Sequence, residues 1–329
     1  MFIVILLVII YVFINREKVY AVVLPFIFAI IITYILNPLV EMLTEKKMNR
    51  TAAVALIYFI LIGSIIVALV FIVPIIILEL NKLIDTLPFY TSEVQRIFAN
   101  IKTTYLASLP ISLQEVVDRN INRMEELLLD LLQKVADAII GIFSSILSII
   151  LVPILSFYFL KDLDKIKHNA IFYIPSSYRK IVIQWFEKFG NTLGRYLRSQ
   201  LLVSLIIGIL TTLSMVIIGV DFAFLIGIVA GFTNIIPYFG PLIGIMPAIA
   251  IAMLRYPDKI PWIIISMIII HQLESGIISP YIVGEHVGLH PITVIFALLI
   301  GGTFFGLVGL ILAVPIAALI KLIIVSKKS

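Results

Sequence analysis

Long apolar blocks, most of them about the length of a membrane span, alternate with short polar stretches along this chain. A helix that crosses a bilayer needs roughly 20 consecutive apolar residues. Single apolar blocks cover residues 2–14, 19–36, 51–78, 139–160, 201–218 and 261–278, of which the first is short. Two longer apolar tracts, 222–254 and 291–325, are interrupted near the middle by Gly and Pro. The pattern predicts an all-α integral membrane protein that crosses the bilayer several times.

One block, 79–138, has the composition of a water-exposed segment. Its segment 112–135 opens with Ser-Leu-Gln-Glu, a capping box for the start of a helix. Apolar residues then recur at alternating steps of four and three, which predicts an amphipathic helix packed against soluble helices or a neighbouring subunit. We therefore divide the chain into N-terminal scaffold spans 1–78, a soluble helical insert 79–138, a fourth span 139–160, a basic segment 161–200 and a C-terminal region 201–329.

Clusters of basic residues indicate which loops face the cytoplasm. Lys46, Lys47 and Arg50 mark one loop, and Lys327 and Lys328 mark the tail. The segment 161–200 carries eight Lys or Arg against three Asp or Glu, and its half-apolar run 181–197 is expected to lie along the membrane surface. The insert 79–138 has six basic and nine acidic residues, so we expect it on the opposite, extracytoplasmic side.

The two long tracts, 222–254 and 291–325, resemble each other. An initial Gly, a pair of small residues, a Phe-Gly step and a Pro followed by apolar residues recur in the same order. Each tract is too long for one span and short for two, so two half-length helices that meet at a tip within the membrane fit it best. A single span separates the tracts, which predicts two re-entrant hairpins of inverted orientation. Such repeats are typical of secondary transporters that bind substrate near the bilayer midplane.

The composition excludes several classes of function. Apolar residues make up 62% of the chain and charged residues 13%, so the bilayer is the expected partner, and nucleic acid is not expected to be one. The chain has no Cys, its four His lack metal-site spacing, and phosphate-binding motifs are absent. We expect no cofactor, no metal and no ATP hydrolysis. The spans show no Ser/His or paired-Asp constellation, which disfavours an intramembrane enzyme.

Polar side chains at membrane depth are the candidates for the transport site, because they are costly there unless they face a cavity or a partner. Asn234 lies three residues before Pro237 in the first hairpin, and it either binds solute or caps the half-helix. His271, Glu274 and Ser275 share one helical face, beside Gln272 in sequence. Glu274 could bind a cation or accept a proton, or it could form a fixed ion pair with Arg195 or Arg198.

The remaining candidates form two groups. The hairpin tips are expected to line the solute pathway, through Pro237, Tyr238, Gly240, Gly301, Gly302, Thr303 and Gly306. Supporting roles are expected for Asp221 and His290 as N-caps, with titration of His290 as the less favoured alternative. Arg195, Arg198 and Gln200 are expected to be cytoplasmic anchors, with contact to substrate or lipid as the less favoured alternative.

Several of these residues sit in motifs that resemble the autoinducer-2 exporter family. They are Arg198-Ser199-Gln200, the run 234–241 (Asn-Ile-Ile-Pro-Tyr-Phe-Gly-Pro), Gln272-x-Glu274, Pro280 and the run 287–291 (Val-Gly-Leu-His-Pro). The likeness covers nearly the whole chain, including the insert. It implies a bacterial inner-membrane transporter that is an oligomer. Members are linked to export of the quorum-sensing furanone, and others to sodium or lithium/proton antiport.

Three functions follow as hypotheses. The first is a secondary transporter that exports a small polar solute such as autoinducer-2 by alternating access, with the hairpin-bearing region moving against the first four spans. The second is sodium or lithium/proton antiport through Glu274. The third is a non-transporting membrane scaffold or regulator whose insert 79–138 binds a partner.

Overall fold

The computed structural model describes residues 16–105, 146–172, 174–282 and 289–326, with five single residues between 119 and 130. Every regular element in this part of the chain is helical, and no strand occurs in it. The predicted span 2–14, most of the amphipathic segment 112–135, and the residues Val287, Gly288, Lys327 and Lys328 lie outside the described residues. The predicted span 139–160 is described from residue 146 onward.

Nine α-helices follow one another along the described ranges. They are α1 (Arg16–Glu45), α2 (Arg50–Tyr105), α3 (Ile146–Phe172), α4 (Ser176–Ile218), α5 (Ala223–Thr233), α6 (Phe239–Arg255), α7 (Ile260–Leu273), α8 (Ser279–Ile282) and α9 (Pro291–Ser326). A 3₁₀ turn, Pro257–Lys259, precedes α7, and a π-helical segment, Glu274–Ile278, connects α7 to α8.

Four helical stretches among the described residues are long and apolar enough to cross a membrane. They are Val22–Glu45, Arg50–Glu79, Tyr178–Ile218 and Pro257–Ile282. Each overlaps one of the predicted spans 19–36, 51–78, 201–218 and 261–278. The prediction of an all-helical membrane protein is therefore confirmed at this level.

Two helices run past the boundaries that the polar pattern predicts. Helix α2 has 56 residues and continues through position 78 into the predicted insert, with Pro74 and Pro88 inside it. At 1.5 Å per residue it is about 84 Å long, far more than the hydrocarbon core of a bilayer. Helix α4 has 43 residues and joins most of the basic segment to the span 201–218. The run 181–197 is thus part of this continuous helix and does not form a separate surface helix.

The chain divides into two compact units. One comprises Met1–Val67, Ile146–Leu201 and Ile282–Ser329, and the other comprises Ala68–Ser145 and Leu202–Tyr281. The helical tract 223–255 belongs to the second unit and the tract 291–326 to the first.

The first unit is organised by apolar packing of α1, α2 and α3. Leu36, Val40, Val54, Tyr58 and Leu160 are buried together at its core.

The same three helices are joined at one end by Arg50. Its Nε donates to the carbonyl of Leu160 at 2.8 Å, and its Nη atoms donate to Asp164 at 2.6 Å and to Asn37 at 3.0 Å. Since Arg presents several donors in a fixed plane, one side chain fixes three helices here.

The second unit is held by close helix crossings at glycine. A Cβ built on Gly208 of α4 would lie 3.1 Å from the carbonyl oxygen of Gly227 and 3.4 Å from Cα of Gly231, both on α5. Small residues at such positions let two helix backbones approach closely. The resulting van der Waals contacts stabilise the helix pair in lipid, where the hydrophobic effect does not drive helices together. This crossing positions α5, the first half of the tract 223–255.

Each long C-terminal tract folds back on itself as two packed helical halves. In the first tract, α5 and α6 meet through Ala230 and Gly244, where a built Cβ on Gly244 would lie 2.8 Å from Cα of Ala230. In α9 the break is at Gly306, with φ 57° and ψ −139°. Gly301 and Gly309 touch across it, whereas a straight helix would hold them about 12 Å apart.

Candidate functional site

Asn234 stands at the break between α5 and α6, in the turn that forms the tip of the first tract. Its backbone N–H donates to Ala230 at 3.0 Å and completes the last turn of α5. The turn then closes with Gly240 N–H donating to the carbonyl of Ile236 at 2.8 Å. Tyr238 takes a positive φ of 66°, a conformation that bulky residues rarely adopt, and its side chain is half exposed. The tip is therefore a tight, specified turn.

Gly240 allows this turn to close directly onto Asn234. A Cβ at Gly240 would lie 2.5 Å from Cα of Asn234 and 2.5 Å from the carbonyl oxygen of Thr233. The Thr233 hydroxyl adds a second tie, lying 3.0 Å from the carbonyl oxygen of Gly240. Asn234 is 1% exposed, so its side-chain amide is fixed in the interior of the second unit.

The amide of Asn234 meets Glu274. Asn234 Nδ2 donates to Glu274 Oε1 at 2.9 Å, and the other carboxylate oxygen lies 3.4 Å from Nδ1 of His271. The Glu274 side chain is 13% exposed, while that of His271 is 51% exposed. The structure thus brings together two predicted site residues that are 40 positions apart in the chain.

Two further candidates, Gln272 and Ser275, are close to Glu274 in sequence. The Ser275 hydroxyl donates to the carbonyl of His271 at 2.9 Å, and Gln272 is exposed. Glu274 belongs to the second unit and Arg195 and Arg198 to the first, so the ion pair considered for Glu274 stays a prediction. Glu274 is held by Asn234 and His271, and Arg198 donates to the carbonyls of Tyr34 at 2.9 Å and Ile35 at 3.3 Å.

Glu274 is also the first residue of a π-helical turn. The N–H of Ser279 donates to the carbonyl of Glu274, five residues back. Pro280 lacks the N–H that an α-helix would direct to the carbonyl of Gly276, which explains why the regular ladder fails here. Such turns widen the helix and occur frequently at functional sites. A broken hairpin therefore faces a broken span, and an amide and a carboxylate meet between them.

This arrangement has a definite chemistry. The carboxylate accepts hydrogen bonds, and the amide both donates and accepts them, so the pair can bind hydroxyl or ammonium groups or a cation. Where charged groups occur inside a membrane, they mark pathways for substrates and ions. Within the described residues, no group of three or more His, Asp or Glu side chains is arranged to hold a metal ion.

Asp221 does not cap the helix that follows it, which corrects the predicted role. Helix α5 begins at Ala223, and its first free N–H groups, those of Phe224 and Leu225, donate to the Glu79 carboxylate of α2 at 3.3 and 2.8 Å. Glu79 takes the place of a local cap, because the N-terminus of a helix carries a partial positive charge that stabilises a nearby carboxylate. Phe222, at a φ of 61°, occupies the N-cap position without a side-chain bond.

Asp221 instead organises a cluster of polar side chains. It accepts from Lys82 at 2.8 Å, from Arg255 at 2.7 Å and from the Tyr256 hydroxyl at 3.0 Å. Burial raises the pKa of Asp221, but the hydrogen bonds from Lys82 and Tyr256 and the two positive charges outweigh burial, so its pKa lies below the ordinary value. The hydrogen bond to Asp221 raises the pKa of Lys82.

The first unit holds the remaining candidates. Arg195 is exposed and Gln200 is buried. His290 caps α9, since its Nδ1 accepts from the N–H of Ile292 at 3.4 Å and Pro291 follows as the first helical residue. In the second tip, Gly301 is buried, and a Cβ on Gly302 would lie 2.9 Å from Leu310.

The last two tip candidates are on the outside of α9. Thr303 and Gly306 are exposed, and the Thr303 hydroxyl donates to the carbonyl of Leu299 at 2.7 Å.

Two residues that position the site, Glu79 and Thr233, are not among the candidates predicted from the sequence, and neither is Lys82 of the Asp221 cluster. A lone carboxylate just after an apolar run is a detectable signal, but its partner is 145 residues away and belongs to another helix.

Comparison with known proteins gives a consistent result over the whole chain. A family model described as AI-2E family transporter matches residues 1–328. YrrI of Bacillus subtilis, a transport protein by name, is 32% identical over 302 residues, which cover 92% of this chain and 85% of that protein. YueF of the same organism, also a transport protein by name, is 34% identical over 305 residues, or 90% of this chain and 82% of YueF. The AI-2 transport protein TqsA of Escherichia coli is 24% identical over 318 residues, or 92% of this chain and 85% of TqsA.

Proposed function

We propose that this chain, which belongs to the AI-2E transporter family, exports a small polar solute such as autoinducer-2 across the bacterial inner membrane. The family and the names of its relatives support a role in membrane transport, and transporters and permeases are not a class of enzyme. The name of TqsA supports autoinducer-2 as the solute to test first. Apolar helices of spanning length support the location in a membrane.

The observation that carries the proposal is the hydrogen bond between Asn234 and Glu274. An amide that is 1% exposed and a carboxylate that is 13% exposed meet where two helices are interrupted. Each interruption frees backbone groups that a helix would otherwise satisfy. A solute with several hydroxyl groups can exchange its hydrogen bonds with water for bonds to these groups and to the two side chains.

Alternating access is the mechanism we propose for this site. The hairpin tips at Tyr238 and Gly306 are the segments that would open and close the path, as two re-entrant hairpins of inverted orientation. Positive φ values at Tyr238 and Gly306 support a sharp, specified turn at each tip. The scaffold for this movement would be the first four spans, in an assembly of several copies.

Flux measurements on reconstituted protein test the proposal. Purified protein in liposomes is supplied with radiolabelled autoinducer-2, and wild type is compared with Asn234→Ala and Glu274→Gln. The matched controls are Asn191→Ala and Glu45→Gln, because Asn191 and Glu45 are exposed. We expect flux in wild type and in both controls, and a loss of at least tenfold in the two site variants.

The same liposomes separate export of an organic solute from cation exchange. A pH-sensitive dye inside them reports proton movement after a pulse of sodium or lithium outside. A pH change that requires Glu274, without flux of autoinducer-2, would replace our proposal with the antiport hypothesis, which the names of the reported relatives do not support. Absence of both signals in tight liposomes that contain folded protein would favour a scaffold or regulator.

A further inference from the structure

The first unit contains an apolar cavity that the transport site does not use. It has a volume of about 320 Å³ and is bounded by α1, α3 and the N-terminal part of α4. Its lining is almost entirely hydrocarbon, with Ile30 and Tyr34 from α1, Phe159 and Leu163 from α3, and Ile183 from α4. A cavity of this size is large enough for part of a small apolar ligand.

Two charged side chains also line this cavity, Lys167 of α3 and Glu187 of α4. Both are exposed, so they stand at its open end. Lys167 follows Phe159 by eight residues on the same helix, which places its Cα about 12 Å further along the axis. The apolar run of α3 ends at Leu160, and Lys161 and Asp162 follow directly. The cavity therefore spans the change from apolar to charged surface, as a lipid does.

We propose that this cavity binds one phospholipid with a phosphate and a primary ammonium in its headgroup, of the phosphatidylethanolamine type. Lys167 contacts the phosphate, Glu187 accepts hydrogen bonds from the ammonium, and an acyl chain extends along Phe159 and Ile30. One cation and one anion at the entrance complement a zwitterion. A headgroup with only negative charge would be repelled by Glu187, and a quaternary ammonium has no N–H to donate.

The surrounding segment favours contact with headgroups. Residues 161–200 carry eight basic against three acidic side chains, a balance that attracts phosphate at a membrane surface. Arg179 is bound to the carbonyls of Ile174 at 2.8 Å and Phe172 at 3.3 Å, so it fixes the chain between α3 and α4, next to the cavity. This packing shapes the entrance without contributing a further charge to the lining.

Lipid binding to the delipidated full-length protein tests the proposal. Dissociation constants are measured by native mass spectrometry in detergent for dioleoyl lipids with ethanolamine, glycerol or choline headgroups. We expect wild type to bind the ethanolamine lipid about tenfold more tightly than the choline lipid, and Glu187→Ala, which removes the acceptor, to abolish that preference. Lys167→Gln should weaken binding of all three lipids by about threefold to tenfold. Leu163→Trp should fill the cavity and remove the bound lipid.

Lys188→Gln is the matched control, because Lys188 is exposed, follows Glu187 in sequence and does not line the cavity. Its binding constants should equal those of wild type. Stronger binding of the glycerol lipid than the ethanolamine lipid by wild type would overturn the proposed headgroup. Equal binding of all three lipids by wild type, or equal effects of Lys167→Gln and Lys188→Gln, would overturn the site. The two surface variants keep the test decisive if Leu163→Trp does not fold.

Discussion

Replacing Gly240 by Ala should open the turn at the tip of the first hairpin and weaken the hydrogen bond between Asn234 and Glu274. The added Cβ would lie 2.5 Å from Cα of Asn234 and 2.8 Å from its backbone nitrogen, about 0.9 Å and 0.6 Å closer than ordinary contact allows. Since both neighbours are backbone atoms, a side-chain rotation cannot relieve the clash. The turn must open by about 1 Å, and the 2.9 Å hydrogen bond to Glu274 then approaches or passes the 3.5 Å limit of a hydrogen bond.

The magnitude follows from two opposed effects. Overpacking of a close contact costs about 1–3 kcal/mol, whereas Ala in place of a helical Gly without a clash gains about 0.5–1 kcal/mol. Gly63→Ala is the matched control, because a Cβ on Gly63 meets nothing within 4 Å. We therefore expect the two variants to differ by about 1.5–4 kcal/mol in unfolding free energy.

Two assays on the same preparations read out this prediction. Thermal unfolding in detergent should place Gly240→Ala below wild type and Gly63→Ala at or above it. Flux in liposomes should fall at least tenfold for Gly240→Ala alone, because a 1 Å misplacement of positioned groups has effects of that order. Wild-type stability and flux in Gly240→Ala would refute the argument that this contact fixes Asn234.

Three further changes test the supports of the fold. Glu79→Ala should lower the free energy of unfolding by about 0.5–2 kcal/mol, because α5 loses its cap, and Glu79→Gln should lower it by less. Thermal midpoints equal to that of wild type would show that this cap does not stabilise the protein. The Asp221 cluster should stabilise the protein at intermediate pH. Its contribution is lost as pH falls through the lowered pKa of Asp221, below 3.8, and as pH rises through the raised pKa of Lys82, above 10.5. Thermal midpoints of wild type and Asp221→Asn should therefore differ at pH 7 and converge below pH 3.8. Arg50→Lys should cost about 1–3 kcal/mol, because one compact ammonium cannot reach all three acceptors on α1 and α3 that the planar guanidinium contacts, and unchanged denaturation would contradict this.

Much of the fold could be predicted from the sequence because the physical constraints of a bilayer are local. A run such as 261–278 has to be helical in lipid, whatever its neighbours are. Gly and Pro at the tips, as at Gly240 and Gly306, mark breaks that follow from backbone geometry alone. The shared face of His271, Glu274 and Ser275 follows from helical periodicity.

The remainder depends on contacts between distant residues. Polarity at Glu79 suggested the end of a span, but α2 continues to Tyr105, because helix-forming residues propagate a helix through polar sequence. The cap of α5 by Glu79 and the Asp221 cluster join residues that no periodicity connects. The hydrogen bond between Glu274 and the buried amide of Asn234 likewise joins residues 40 positions apart.

Access to the site from both sides of the membrane is the most direct test of the central claim. The chain has no Cys, so Ser275→Cys introduces a single thiol beside the Asn234–Glu274 pair. Membrane-impermeant thiol reagents are applied to either face of oriented vesicles, with Ile269→Cys on the exposed, apolar side of α7 as the control. Alternating access predicts labelling at position 275 from both faces, in proportions that shift when solute is added, and no labelling at position 269. Labelling of position 275 from one face only, with or without solute, would contradict it.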